Sequence, residues 1–220
     1  MTEKKAYDGI YNRRIKRGLD IVISSIGLLV LWPMIVVISL AVLLEDGPPV
    51  FYRARRGGYL NRPFDILKFR SMVKNADKIG GGTTGYHDPR ITKTGNILRK
   101  TKLDEIPQLI QVLTGRMSLV GPRPELPQYV SQYEGREKEI LQVRPGITDF
   151  SSIEFINLDE IVGTEDPDAM YEKYVLKRKN ELRVKYAESV SFLTDVTILA
   201  RTLAAVWGKA FGFLVKKEHR

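Results

Sequence analysis

The chain has 220 residues, enough for one well-buried domain or two small ones, and its 35 Lys and Arg against 26 Asp and Glu leave a net charge of +9. That surplus calls for an anionic partner: nucleic acid, an anionic membrane face or a phosphorylated small molecule. Cysteine is absent and His87 and His219 are the only histidines, which excludes disulfide frameworks, thiolate metal sites and most histidine relays. Chemistry here must run on carboxylates, Arg and Lys, hydroxyls or a hard oxygen-bound cation.

A basic segment, residues 1–18, leads into an apolar run, "IVISSIGLLVLWPMIVVISLAVLL", that holds no charge over 24 positions from Ile21 to Leu44. As a helix it is about 36 Å long, enough to cross a bilayer core with some tilt. It is too long for a cleaved signal peptide and lacks the small-residue cleavage pattern, so residues 19–46 are predicted to enter a membrane. Lys4, Lys5, Arg13, Arg14, Lys16 and Arg17 precede the run, and Arg53, Arg55, Arg56 and Arg62 follow it. Lys and Arg are kept on the cytoplasmic side, so both flanks ask for the same compartment. Pro33, near the middle, removes a backbone donor and clashes with the previous turn; Ser24 or Ser25 could bond the freed carbonyls. Two readings remain: a re-entrant helix-break-helix broken at Pro33, or a kinked spanning helix with most of the chain cytoplasmic.

Residues 47–220 are predicted as one cytoplasmic domain, and the fold class as α+β, mostly helical. "PPVFYRARRGG" and "RPFDILKFRSM" alternate apolar and polar residues around Gly57-Gly58, the pattern of a short cationic β-hairpin. Residues 74–96, rich in Gly, Thr and Asp without apolar period, read as a long loop. In "TKLDEIPQLI" and beyond, Ile106, Leu109, Ile110 and Leu113 fall at helical spacing. Pro107 is tolerated only in a first turn, which puts the helix start at about Leu103–Glu105. Asp104 and Glu105 then lie at a helix N-terminus, where backbone N–H groups favour anions; a helix cap with an adjoining first-turn charge is the plain alternative. "MSLVGPRPELP" and "VRPGIT" read as rigid turns that each hold an Arg beside prolines. Residues 134–143 and 168–185 read as charged helices. Residues 190–213 read as an amphipathic helix that either lies in the membrane interface, with Trp207 and Phe211 toward lipid, or packs on the domain.

The stretch "DPRITKTGNILRKTKLDEIPQLIQVLTGRMSLVGPRPE", with "KRGLD" before it, "KFRSM" after the apolar run and "VRPGIT" downstream, resembles the bacterial sugar transferase family. These are small monotopic polyprenyl-phosphate phosphoglycosyl transferases, and the resemblance spans roughly Lys16 to Thr148. It implies a re-entrant membrane helix, a UDP-sugar and polyprenyl phosphate as substrates, Mg²⁺ as cofactor, the lipid bilayer as partner and no nucleic acid. It implies attack by Asp104 on the β-phosphate, release of UMP and transfer of the phosphosugar to the polyprenyl phosphate. Glu105 would tune the aspartate or assist the metal held at Asp104. Lys68, Arg99, Arg123 and Arg144 would hold phosphates, as would Arg56 and Arg70. The implied location is the cytoplasmic face of a bacterial inner membrane, and the oligomeric state is left open. Trp32 stands before Pro33 where the family often has Ser, and Asp149-Phe150-Ser151-Ser152 follow "PGIT" where many members have Gly-Leu, a place where sugar specificity could reside. The non-enzymatic alternative is a membrane-anchored basic binding protein.

Overall fold

The computed structural model describes residues 5–218, without the side chains of Asp77 and of 213–218. Residues 1–4 and 219–220, at the ends of the predicted basic segment and the predicted catalytic domain, lie outside the described residues. The fold is α+β and mostly helical, with two small two-stranded sheets.

The apolar run forms one long helix, α1 (Lys16–Asp46), entered through a π-helical turn at Tyr11–Ile15, with Pro33 inside it. Its middle is bare: Leu29, Val30 and Val37 are each about two-thirds or more exposed. Its two ends are not. At the first end, Lys16 pairs with Asp195, Arg17 donates to the carbonyls of Val112 and Leu113, and the Asp20 carboxylate accepts from Leu119 N at 3.0 Å. At the other, Ile38 and Val42 pack with Phe69 and Leu98, and Glu45 accepts from Lys93 N and Thr94 N at 2.8 and 2.9 Å. Ser24 does not serve the carbonyls freed by Pro33; its hydroxyl donates to Asp20 O, one turn back on its own helix.

β1 (Phe51–Arg56) and β2 (Phe64–Phe69) form the expected hairpin, antiparallel with Phe51 opposite Phe69 and Arg56 opposite Phe64. The following loop ends earlier than its composition indicates. Thr92 accepts from Gly95 N through its hydroxyl and starts α2 (Lys93–Thr101), whose first N–H groups are those held by Glu45. Lys102, at φ +60°, then stops α2.

The helix predicted to begin near Leu103 begins later. Leu103–Glu105 is a single 3₁₀ turn, and α3 (Gln108–Leu113) follows Pro107. The chain between them carries i→i+3 bonds such as Leu109 N to Ile106 O, because Pro107 has no N–H to give to an α-helical ladder. The apolar stripe is also placed differently. Ile106 joins the cluster around Ile38, Leu109 lies beside Gly27 of α1, and Ile110 and Leu113 are exposed. The face that α3 buries in the domain is Gln108, Gln111 and Val112. Gln111 earns its burial by clamping β2, donating to Asp65 O at 2.6 Å and accepting from Leu67 N at 2.8 Å.

The two proline turns contribute the second sheet, which their composition does not announce: β3 (Ser118–Val120) runs parallel to β4 (Gly146–Thr148). Gly121 and Gly146 permit it, since a Cβ on Gly146 would lie 2.1 Å from Gly121 N. Asp149 caps α4 (Phe150–Glu154) by accepting from Ser152 N. After α5 (Pro167–Tyr171) and a π-helical turn at Glu172–Leu176, α6 (Lys177–Ser189) crosses the domain. It joins Val120, Val143 and Ile198 in the main core through Tyr186 and Ala187. The amphipathic stretch is α7 (Phe192–Glu218). Ile198 is its buried contact, while Leu203, Trp207 and Phe211 are exposed on the other face.

Candidate active site

A cleft of about 2400 Å³ opens between the hairpin, the loop before α2, α2 itself, the 3₁₀ turn and α6. Asp104 lies on its wall, only 5% exposed, and its Oδ1 is buried without a hydrogen-bond partner among the described residues. A buried carboxylate oxygen left unpaired is costly unless something else comes to meet it. Burial pushes the Asp104 carboxyl above its ordinary range; Lys68 opposes this, Glu105 adds to it, and Lys102 and Arg99 pull it back.

Glu105 has the opposite surroundings. Lys68 donates to its Oε1 at 2.9 Å and Arg123 donates to the same oxygen. Burial would raise this carboxyl, but Arg123, Lys68 and Lys102 together hold it well below the usual carboxylate range. The two adjacent acids are therefore differentiated: Glu105 is a fixed anion that fastens two cations beside Asp104, and Asp104 is left open. Arg123 is positioned further by donating to Ile147 O, while its own N–H is held by the buried Asp149 carboxylate at 3.0 Å. Asp149 is wholly buried and also binds Ser151 and Ser152, so this departure from the family pattern supports the Arg123 turn from within.

Of the cations singled out in the sequence, Arg56, Lys68, Arg70, Arg99 and Arg123 line the cleft. Arg99 projects from the last turn of α2 and makes no ion pair among the described residues. Arg70 is only 6% exposed and is committed to the end of α1, donating to Gly47 O and pairing with Asp46 at 3.1 Å. Arg144 does not line the cleft. Its guanidinium lies 5.1 Å from the Tyr59 ring centre and donates to Gly115 O, because the turn it belongs to is drawn against Gly121 by the β3–β4 pairing. Pro33 is inside α1 and lies outside the cleft lining.

Another part of the cleft lining holds groups that sequence reading missed. Glu125, nearly buried, accepts from Arg183 at 2.9 Å and from the Tyr171 hydroxyl. Burial raises its carboxyl, and Arg183, Lys179 and Tyr171 more than reverse this, down to about 2. Lys179 lines the same wall, one helical turn before Arg183 on α6. The available signal was a basic pair four residues apart on the helix face that also carries Leu182 and Tyr186.

No group of three or more Asp, Glu or His side chains placed to enclose a metal exists among the described residues. A protein cage is therefore absent there. The open Oδ1 of Asp104 fits a Mg²⁺ that takes one carboxylate oxygen and completes its shell from water and substrate phosphates.

A helix long and apolar enough to cross a bilayer thus accompanies a cleft lined by cations and by a buried aspartate whose Oδ1 has no partner among the described residues. The sequence profile of the bacterial sugar transferase family matches residues 11–209, and the chain belongs to that family. This match extends past Thr148, where the recognised motifs end, through α6 and most of α7. The chain is 44% identical over 146 residues to UDP-glucose:undecaprenyl-phosphate glucose-1-phosphate transferase of Escherichia coli (strain K12), covering 64% of this chain and 31% of that protein. It is 32% identical over 206 residues to exopolysaccharide production protein ExoY of Sinorhizobium fredii, covering 87% of this chain and 84% of the relative. A transferase of Caulobacter vibrioides bearing the same name as the Escherichia coli protein is 33% identical over 194 residues, covering 87% of this chain and 69% of the relative.

Proposed function

We propose that this chain moves a sugar-1-phosphate from a UDP-sugar to polyprenyl phosphate, through a phosphosugar carried on Asp104, as the first membrane step of glycoconjugate synthesis. The observation that carries the reading is the buried Asp104 carboxylate, its Oδ1 without a partner among the described residues, on the wall of a cleft that Lys68, Arg99 and Arg123 also line. Relatives named for UDP-glucose and undecaprenyl phosphate agree with it.

In the first half-reaction an Asp104 oxygen forms a bond to the β-phosphorus of the donor. The bond from that phosphorus to the bridging oxygen breaks, and UMP departs with the bridging oxygen and its electron pair. In the second, an ionised oxygen of polyprenyl phosphate attacks the same phosphorus and the Asp104–phosphorus bond breaks, restoring the carboxylate. The acceptor is already an anion, so no base is needed, consistent with a Glu105 fully engaged by Lys68 and Arg123. Anion attacking anion requires neutralisation: Arg99, Lys68 and Arg123 supply fixed positive charge. Mg²⁺, held by Asp104 and the substrate phosphates, would supply more when bound.

The re-entrant topology belongs to the same proposal. Both ends of α1 are fastened to one domain, by Asp20 and Arg17 at one end and by Glu45 and Asp46 at the other. Contacts from both ends to one domain support a helix that returns to the same face of a bilayer. The domain then sits on the cytoplasmic side, where the basic flanks place it. The chain's lack of cysteine makes a direct test available. Single cysteines at Asp8 and Asn61 should both react with a membrane-impermeant maleimide from the cytoplasmic side alone; labelling from opposite sides would end the re-entrant reading.

The activity is tested by offering a panel of UDP-sugars to the purified, detergent-solubilised chain with polyprenyl phosphate and Mg²⁺. UMP and polyprenyl-diphospho-sugar should appear in equal amounts, and EDTA should remove most of the rate. If no UDP-sugar yields UMP, the proposed reaction is wrong.

A further inference from the structure

The proposed reaction uses the part of the cleft around Asp104, and another part of its lining carries positive charge that the chemistry leaves unused. Arg56 closes β1, and the next residue, Gly57, donates its N–H to Glu125 O at 2.9 Å, which fixes Arg56 against Glu125. Among the described residues the Arg56 guanidinium bonds only a backbone carbonyl, that of Arg55. Lys179 makes no ion pair or hydrogen bond among the described residues; its ammonium rests 4.8 Å from the Tyr171 ring centre and 5.8 Å from that of Phe155. Arg183 is 1% exposed and bonds Glu125 and Asn180, yet its Nε has no partner. All three line the cleft; Glu125 pairs with Arg183, the buried Asp149 carboxylate also acts on Lys179 and Arg183, and Arg123 is paired with Glu105.

We propose that Arg56, Lys179 and Arg183 form a second anion subsite in the cleft, which seats a phosphate group of a substrate or product. The argument is one of charge and satisfaction. Three cations are held in a partly desolvated wall near two carboxylates that are already engaged, Glu125 by Arg183 and Tyr171 and Asp149 by Arg123 N, Ser151 and Ser152, so a missing counter-anion is felt strongly. The open donors on Arg56 and Arg183 match the several acceptor oxygens of a phosphate, and Lys179 supplies a compact charge with rotatable donors. The Tyr171 and Phe155 rings hold the Lys179 stem without neutralising it as a carboxylate would. Burial and then Arg183 push the Lys179 ammonium down to about 7, with Arg123 acting in the same sense and Glu125 and Asp149 opposing; an arriving anion would reverse that push. The subsite rests on the proposed reaction only for the identity of its visitor, which is either the phosphate of the departing nucleotide or that of the lipid acceptor.

The test is a binding measurement, so that it stands apart from turnover. Full-length protein and its Lys179→Met variant, in detergent, are titrated calorimetrically with UMP, with uridine, and separately with a short-chain polyprenyl phosphate. Loss of one charge-assisted contact should weaken a phosphate ligand roughly tenfold or more, and Lys179→Arg should recover most of it. Weaker UMP binding with unchanged polyprenyl phosphate binding assigns the subsite to the nucleotide, and the converse assigns it to the lipid. Unchanged affinity for both phosphates overturns the subsite, as does a parallel loss for uridine, which carries no phosphate. A wild-type protein that binds UMP but releases none from any UDP-sugar would count against the proposed reaction and leave the subsite standing.

Discussion

Asp104→Asn should abolish UMP release from a UDP-sugar, by roughly 10⁴-fold or more, the scale seen when a covalent nucleophile is removed. The substitution keeps the size and most of the polarity of the side chain and removes only the anionic oxygen that has no partner in the cleft. Intact-mass analysis after incubation with UDP-sugar alone supplies the sharper readout. The wild-type chain should gain the mass of one phosphosugar and the variant none, because in a one-step transfer neither would. Membrane association should be unchanged, since Asp104 makes no contact with α1 that the asparagine would lose. A variant that turns over normally, or a wild-type chain that never gains mass, would remove Asp104 from the role given to it here. Glu105→Gln is a useful contrast. It leaves Asp104 in place but takes the shared anion from Lys68 and Arg123, so its defect should lie in the placement of two cations and not in the covalent bond.

The largest loss of stability should come from Asp195→Ala. Asp195 is 5% exposed and accepts from the hydroxyls of Tyr11 and Tyr186, each at 2.7 Å, and from the ammonium of Lys16, itself 6% exposed. Deleting the carboxylate leaves the buried Lys16 ammonium without its ion pair and takes an acceptor from both hydroxyls, of which Tyr186 keeps Val120 O, a change worth about 3–5 kcal/mol. Chemical denaturation in detergent, followed by tryptophan fluorescence, measures it. Combining Asp195→Leu with Lys16→Met should return much of the loss, since a buried pair replaced by apolar groups of similar size costs little. If Asp195→Ala unfolds at the wild-type denaturant concentration, Lys16 is not held as described.

The sequence made the long apolar helix, the hairpin and the doublet of acids legible because each has a local cause. Twenty-four uncharged positions, a period of two around Gly57-Gly58, and a proline three residues after Asp104 are all read without knowing what the chain touches. What escaped it was set by distant partners. The stripe of Ile106 and Leu109 has helical spacing, but whether it faces the domain core or α1 depends on Gly27 and Ile38, some 70 to 80 positions earlier in the chain. The parallel β3–β4 pair rests on two glycines meeting across the fold. Arg144 looked equivalent to Arg123, each in a proline turn, yet one turn points its cation at Glu105 and the other at Tyr59. Lys179 and Arg183 lie beyond the recognised motifs, and only their meeting with Glu125 marks them.

The way α1 ends has a practical consequence for anyone who would trim it. Glu45 supplies the carboxylate that satisfies the first backbone groups of α2, and Asp46 neutralises Arg70 beside the cleft. α2 in turn delivers Arg99 and the turn that bears Asp104. A truncated version starting at residue 47 would therefore lose interior supports of the candidate site along with the apolar helix.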